Sequence, residues 1–195
     1  MKEHYDVIIV GTGAAGLYCA LNLPEKMKIL LITKQEADQS DSFLAQGGIC
    51  MLRGEDDYEN YFEDTMRAGH YENNKRAVDL MIRSSNDIIR DLLRYHVDFA
   101  RDGLGNLAFT REGAHSQPRI LFHEDITGKE ITSKLLAQVK QLSSVTLLEY
   151  NNDDRYHCRK MMNAKESLHR IKTEMNSKSM QRIQSGASGG IGWTL

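Results

Sequence analysis

Cysteine is scarce in this chain. Cys19, Cys50 and Cys158 are the three in 195 residues, and they form neither a CxxC pair nor a metal-binding spacing. No metal is expected, and a reduced, cytoplasmic setting is the simplest reading, with Cys19 and Cys50 as buried small hydrophobes. An excess of one charge is also lacking. The 25 Lys and Arg against 27 Asp and Glu leave a net charge of −2, so neither nucleic acid nor an anionic membrane is expected as a partner. No stretch approaches the roughly 18 apolar residues of a membrane span. The opening "MKEHYDVIIVG" places acidic and polar residues ahead of a short apolar run, unlike a signal peptide. Apolar content of 41% and charged content of 27% are ordinary for a globular protein. The length suits one domain with a real core, or part of a larger one.

The first thirty-five residues carry the strongest pattern. Tyr5 to Val10, "YDVIIV", is a β-branched run suited to a strand buried on both faces of a parallel sheet. It leads into Gly11-Thr12-Gly13-Ala14-Ala15-Gly16, then a helical stretch "LYCALNL", then a second buried strand, Lys28 to Thr33. Strand, GxGxxG, helix and strand at this spacing is a dinucleotide-binding βαβ unit. In it Gly11 makes the tight turn, Gly13 lets the backbone approach a pyrophosphate, and Gly16 lets the helix pack on the strand. The anion sits on the unpaired N–H groups of the helix N-terminus. The acidic residue that usually holds the adenosine ribose is absent. Lys34 stands at the end of the second strand, and Glu36 comes two residues late.

Beyond this unit, "FLAQGGICM" (residues 43–51) places Gly47-Gly48 where no ordinary turn is signalled, as if something approaches the backbone closely. Tyr58, Tyr61, Phe62, Thr65 and Met66 form one stripe at helical spacing, with Asp56 or Asp57 to cap it and Gly69 to end it. A second helix spans 77–97, with Val78, Met81, Ile82, Ile89, Leu92 and Leu93 toward the core. Thr127 and Glu130 form a capping box for a third, carrying Ile131, Leu135, Val139 and Leu142. Ser144 to Tyr150, "SVTLLEY", is a third parallel strand. Between the helices, Arg111, Glu112, His115, Arg119, His123, Glu124 and Asp125 crowd into fifteen residues. A solvated loop would have this composition. So would a site in which Arg and His hold a carboxylate and Glu accepts an ammonium group. His115 and His123 lack the helical spacing of a metal pair.

Taken in order, "DVIIVGTGAAGLYCALNL", "ITK", "SDSFLAQGGI", "EDTMRAGHY" and "FTREGAHSQPRILFHEDITGKEI" resemble the L-aspartate oxidases over about residues 4–150. That family belongs to the succinate dehydrogenase and fumarate reductase flavoprotein group. The resemblance implies an α/β fold, an FAD-binding Rossmann-like parallel sheet with flanking helices, incomplete relative to the family. It implies non-covalent FAD and oxidation of L-aspartate to iminoaspartate, with O2 or fumarate as acceptor, at the first step of NAD biosynthesis. Quinolinate synthase would act next. By the same resemblance Gly11, Thr12, Gly13, Ala14, Ala15 and Gly16 hold the pyrophosphate, and Lys34 lies near the adenosine. Asp41, Ser42, Phe43, Leu44, Ala45, Gln46, Gly47 and Gly48 run along the flavin and ribityl chain, which would account for the bare backbone. Asp41 stands where the dehydrogenases carry the histidine that bonds to FAD. Glu112 matches the glutamate near the substrate amino group, where the dicarboxylate dehydrogenases tend to have glutamine, and His115 or Arg119 would assist.

The resemblance stops near residue 150. Residues 1–150 therefore read as the N-terminal part of an FAD-binding domain, and 151–195 as a divergent tail whose folding is left open. The tail contains no valine or phenylalanine and four of the nine methionines, yet keeps "ASGGIG" at residues 187–192. Family members are more than twice as long, and the segments that hold the substrate carboxylates have no counterpart here. Three readings stay open: an L-aspartate oxidase, a related dicarboxylate flavoprotein, and a truncated or frame-disturbed FAD-binding fragment without activity.

Overall fold

The computed structural model describes residues 4–149. The readings made for the tail, including Cys158 and "ASGGIG", lie outside the described residues. These fall into two compact units, one comprising residues up to Leu44 and from Leu135 onward, the other Ala45–Lys134.

In the first unit, β1 (Val7–Val10), β2 (Ile29–Ile32) and β5 (Val145–Leu148) form a parallel sheet in the order β1-β2-β5. Val7 stands opposite Ile29, and Ile29 opposite Val145. All four residues of the central strand are buried, which is why "ILLI" is uninterrupted by polar residues. Leu30 and Ile32 pack with Tyr5, Ile8 and Leu148. Helix α1 (Ala14–Asn22) joins β1 to β2 and buries Leu17 and Ala20. Side chains pin the strand ends. Asp6 Oδ2 accepts the Lys28 N–H at 2.9 Å, and Glu149 Oε1 accepts the Ala37 N–H at 2.8 Å. A short helix, α2 (Asp41–Leu44), closes this part of the chain. The expected α/β fold with a parallel sheet is thus present, with each strand shorter than its apolar run.

The second unit contains a small sheet that sequence pattern did not predict. Strand β3 (Ile49–Cys50) runs antiparallel to β4 (Ile120–Leu121), which lies inside the stretch read as a polar loop. Gly48 has a reason within this unit: a Cβ there would fall 2.2 Å from the Leu121 carbonyl oxygen and 2.4 Å from Ile120 Cγ2. Gly47 is open by comparison, its nearest such neighbour being Glu112 Oε2 at 3.6 Å.

A 3₁₀ turn (Glu55–Asp57) leads into α3 (Tyr58–Ala68), and α4 (Lys75–Arg94) follows. Leu52, Tyr61, Met66, Val78 and Ile82 form the core between them. Gly69 ends α3 as expected, but Asp57 makes no side-chain cap, because its carboxylate is engaged elsewhere. Asn74 caps α4 by accepting the Arg76 and Ala77 N–H groups at 3.0 and 3.1 Å. Of the expected core stripe on α4, Val78, Ile82, Ile89 and Leu92 are buried, whereas Met81 is 45% exposed. Helix α5 (Thr127–Val139) begins without the expected capping box. Thr127 Oγ1 instead accepts the His123 N–H at 2.9 Å, and Glu130 Oε1 accepts the Asp98 N–H at 2.9 Å. Both side chains tie α5 to the preceding chain. Cys19 and Cys50, expected to be buried, are free thiols of intermediate exposure.

Candidate functional site

The nucleotide turn is built from the end of β1. Gly11 adopts φ +104°, in the region that favours glycine, and its N–H donates to the Ile32 carbonyl at 2.7 Å. Gly16 is bare for a packing reason, since a Cβ there would lie 2.1 Å from the Gly11 carbonyl oxygen. Between them Gly13 is extended and precedes α1 with no side-chain cap, and α1 has no acidic residue in its first turn. Its leading N–H groups therefore lack a side-chain acceptor. Thr12 is only 2% exposed, and its hydroxyl is buried with no hydrogen-bond partner. A buried orphan hydroxyl beside an uncapped helix N-terminus is costly unless an acceptor sits there. A pyrophosphate satisfies both, so this turn fits the phosphates of a dinucleotide. Ser42 comes close to Gly13, its Oγ lying 2.9 Å from the position a Cβ would take. The turn and the start of the 41–48 segment thus meet. Ala14 and Ala15 form the first residues of α1, and Lys34, Asp41 and Leu44 are exposed.

In the second unit, Ala45, Gln46 and Gly47 are exposed, and the Ala45 carbonyl accepts the Gly128 N–H at 2.9 Å. Glu112 is exposed too, with its carboxylate beside Gly47. Two stretches 65 positions apart in sequence are so brought together. Ala114, between Glu112 and His115, holds φ +70°, a left-handed conformation unusual for a residue with a Cβ.

Beneath this loop lies a buried ionic cluster. Arg119 is 0% exposed. Its Nε and Nη2 donate to the two carboxylate oxygens of Asp57, at 3.0 and 2.6 Å, and its Nη1 donates to Asp64 Oδ2 at 2.7 Å. Asp64 Oδ2 also accepts the Ser116 N–H and hydroxyl, each at 2.6 Å, while Asp64 Oδ1 accepts from Arg67 at 2.6 Å. Burial alone would raise the Asp64 pKa. The bonds from Ser116 and Arg119 outweigh it and hold the carboxyl at about 2, against an ordinary 3.8. Arg119 Nη1 lies 3.0 Å from His115 Nδ1, and His115 Nε2 lies 3.4 Å from Cys50 Sγ. Burial, and after it the Arg119 charge, pushes the His115 pKa down. Burial likewise pushes the Cys50 thiol and the Tyr61 hydroxyl up, so both are neutral. His115, Cys50, Tyr61 and Asp64 line a cavity of about 400 Å³ together with Met81, Ser85 and Ile88.

Sequence reasoning placed Arg119 among groups that could hold a substrate carboxylate. Here its donors face two aspartates and a histidine, in the interior. A signal for this existed: Asp57 and Asp64 flank Tyr61 at a spacing of four and three residues, on one stripe of a helix read as apolar. Two acids on a buried face require a buried cation. Among the described residues no group of three His, Cys, Asp or Glu could hold a metal, and no helix is long and apolar enough to cross a membrane.

The chain is 44% identical over 149 residues to an L-aspartate oxidase of Clostridium perfringens, covering 76% of this chain and 34% of that protein. It is 40% identical over 146 residues to one of Synechocystis, covering 74% and 26%. Among solved structures, FrdA of E. coli quinol fumarate reductase matches with a TM-score of 0.71 and 25% identity, over 75% of this chain and 26% of that one. Sdh1 of Mycobacterium smegmatis matches with a TM-score of 0.68 and 25% identity, over 77% and 28%. The chain thus spans about a third or less of the length of the relatives it matches. A family model described as an FAD binding domain matches residues 6–153, and with the glycine turn, the orphan Thr12 hydroxyl and the parallel sheet it shows that the chain belongs to the FAD-binding domain family, with FAD as its cofactor.

Proposed function

We propose that this chain is the FAD-binding part of an L-aspartate oxidase, which oxidises L-aspartate to iminoaspartate with O2 or fumarate as the electron acceptor. The observation that carries the reading is the Glu112 carboxylate beside Gly47, in a chain similar to L-aspartate oxidases. FAD, when bound, supplies the two-electron acceptor for the Cα–H bond of the substrate. The residues of the chain then have separate tasks. Gly11 to Gly16 hold the pyrophosphate through backbone N–H groups and the Thr12 hydroxyl, and Lys34 serves the adenosine end. Asp41 to Gly48 would hold the flavin and ribityl chain. None of them is a histidine, so the cofactor is held without a covalent bond. Glu112 accepts hydrogen bonds from the substrate ammonium group and so selects an amino acid over a plain dicarboxylate. His115 assists from the same loop. The cations that pair with the two substrate carboxylates belong to the remaining length of a full oxidase, since the Arg119 donors are already engaged. Residues 1–150 are the FAD-binding part and 151–195 a divergent tail. The setting is the cytoplasm, with quinolinate synthase as the next enzyme.

A second reading, a dicarboxylate flavoprotein of the fumarate reductase kind, draws on the likeness to FrdA. Glu112 and Asp41 both weigh against it. The test is Glu112→Gln in the full-length C. perfringens relative. Aspartate oxidation should fall at least tenfold while fumarate reduction changes little, and equal losses would remove the role given to Glu112. For the chain itself, FAD titration followed by peroxide release from L-aspartate separates binding from turnover.

A further inference from the structure

We infer that Asp57, Asp64 and Arg119 form a positioning device that fixes His115 as its Nε2–H tautomer and holds the Glu112 loop on α3, with Asp64 as the hub. The inference rests on the proposed reading only for what Glu112 and His115 then face.

The argument begins with Arg119, which has donors and no acceptor, and never loses its proton at accessible pH. Its Nη1–H therefore donates to His115 Nδ1 at 3.0 Å, which leaves Nδ1 without a proton. The neutral ring then carries its proton on Nε2, and Cys50 Sγ at 3.4 Å accepts it. The groups surrounding the ring are Arg119 on the approach to β4, Asp57 before α3, Asp64 and Tyr61 on α3, Cys50 on β3 and Glu112 on its own loop. So held, His115 cannot take a proton at Nδ1. It is a fixed hydrogen-bond donor at Nε2, directed at Cys50 in the cavity wall, and not a general base.

What holds Arg119 is anionic on both sides. Asp57 takes Nε and Nη2 in a two-pronged pair, which leaves Nη1 to be shared between Asp64 and the ring. Asp64 Oδ2 gathers this bond and both Ser116 bonds on one oxygen, so the same atom aims Arg119 and anchors the residue after His115. Removing its charge frees Nη1 to turn and releases the loop at Ser116. Asp64 and Arg119 act through His115 and the loop.

The test uses the full 195-residue chain with FAD and ¹⁵N-labelled histidine, following the ring nitrogens by long-range ¹H–¹⁵N correlation. His115→Gln identifies the signals. The wild-type chain should show one tautomer, protonated at Nε2. Asp64→Asn should shift both nitrogens toward a tautomer average, while Ser116→Ala, which keeps the charge, should leave them unchanged. If Asp64→Asn does not fold, Arg119→Lys takes its place, since lysine cannot reach both aspartates and the ring. A wild-type proton on Nδ1, or an unchanged spectrum in both Asp64→Asn and Arg119→Lys, overturns the proposal. FAD binding and aspartate oxidation are measured on the same samples. Absence of FAD binding beside the expected tautomer would count against the FAD-binding reading alone.

Discussion

Replacing Arg119 by methionine removes the cation and keeps a side chain of similar length. Four N–H bonds are lost, to Asp57, Asp64 and His115, at 2.6 to 3.0 Å. Adding their individual worth would overstate the effect, because the folded protein has already given up the hydration of the guanidinium. Breaking one side of a buried ion pair costs about 3–5 kcal/mol, most of it from the charge left behind. Here Asp57 loses its cation outright while Asp64 keeps Arg67 and Ser116, and both carboxylates are under a tenth exposed, so a cost of about 4 kcal/mol within that range is expected. With a urea dependence of about 2 kcal/mol per molar, the midpoint should drop by about 2 M. Far-UV circular dichroism, dominated by α3 and α4, reports the transition. The effect should also depend on pH. The Asp64 pKa is depressed in the folded wild type, so its contribution is present above 3.8 and lost as the pH falls toward 2. Discounted for water near Ser116, that contribution is about 1–2 kcal/mol. The gap between wild type and Arg119→Met should therefore narrow across that window. A midpoint shift under about 0.3 M at neutral pH, near the error of such extrapolations, would refute the view that Arg119 neutralises a buried anionic pair.

Two further predictions concern the glycines. Gly16→Ala forces a Cβ into the Gly11 carbonyl and should weaken FAD affinity at least tenfold, roughly 1.4 kcal/mol, read by quenching of FAD fluorescence; unchanged affinity would count against the turn. Gly47→Ala and Gly48→Ala should separate two kinds of bareness. The second meets Leu121 and should lower the urea stability of the FAD-free chain by roughly 1–3 kcal/mol, while the first should leave it within about 0.5 kcal/mol. Equal losses from both substitutions would contradict this division.

The βαβ unit was readable because its signals are local: β-branched runs and three glycines within a few residues of one another. Helices α3 and α4 were readable for the same reason, and their stripes hold except at Met81, which lines a cavity instead of the core. Two-residue strands leave no periodicity, so β3 and β4 could not be seen in "GGIC" and "RIL". The capping residues misled because Asp57, Thr127 and Glu130 suit a helix start but found other partners, Arg119 downstream for the first and the His123 and Asp98 N–H groups upstream for the other two. The burial of Arg119 depends on Asp57 and Asp64, 62 and 55 residues away, and no local window contains that information. The role of Gly48 was only half legible. Its lack of a side chain was plain, but the Leu121 backbone that requires it was not.

The parallel pairing of β2 with β5 also sets an order of events during synthesis. The Ala37 N–H finds its acceptor on Glu149, 112 residues later, and the whole of Ala45–Lys134 is translated in between. That inner unit is one unbroken segment, with its helices, its small sheet and its ionic cluster all available before β5 leaves the ribosome. The nucleotide turn is among the first parts to emerge, yet the strand that flanks it through β2 is the last of the described strands to be made. A nascent chain must therefore carry the apolar "ILLI" strand with one edge unpaired until residue 148 is made. The sheet that carries the nucleotide turn is thus completed only after the whole of Ala45–Lys134 has been made, although its glycines are written at the start.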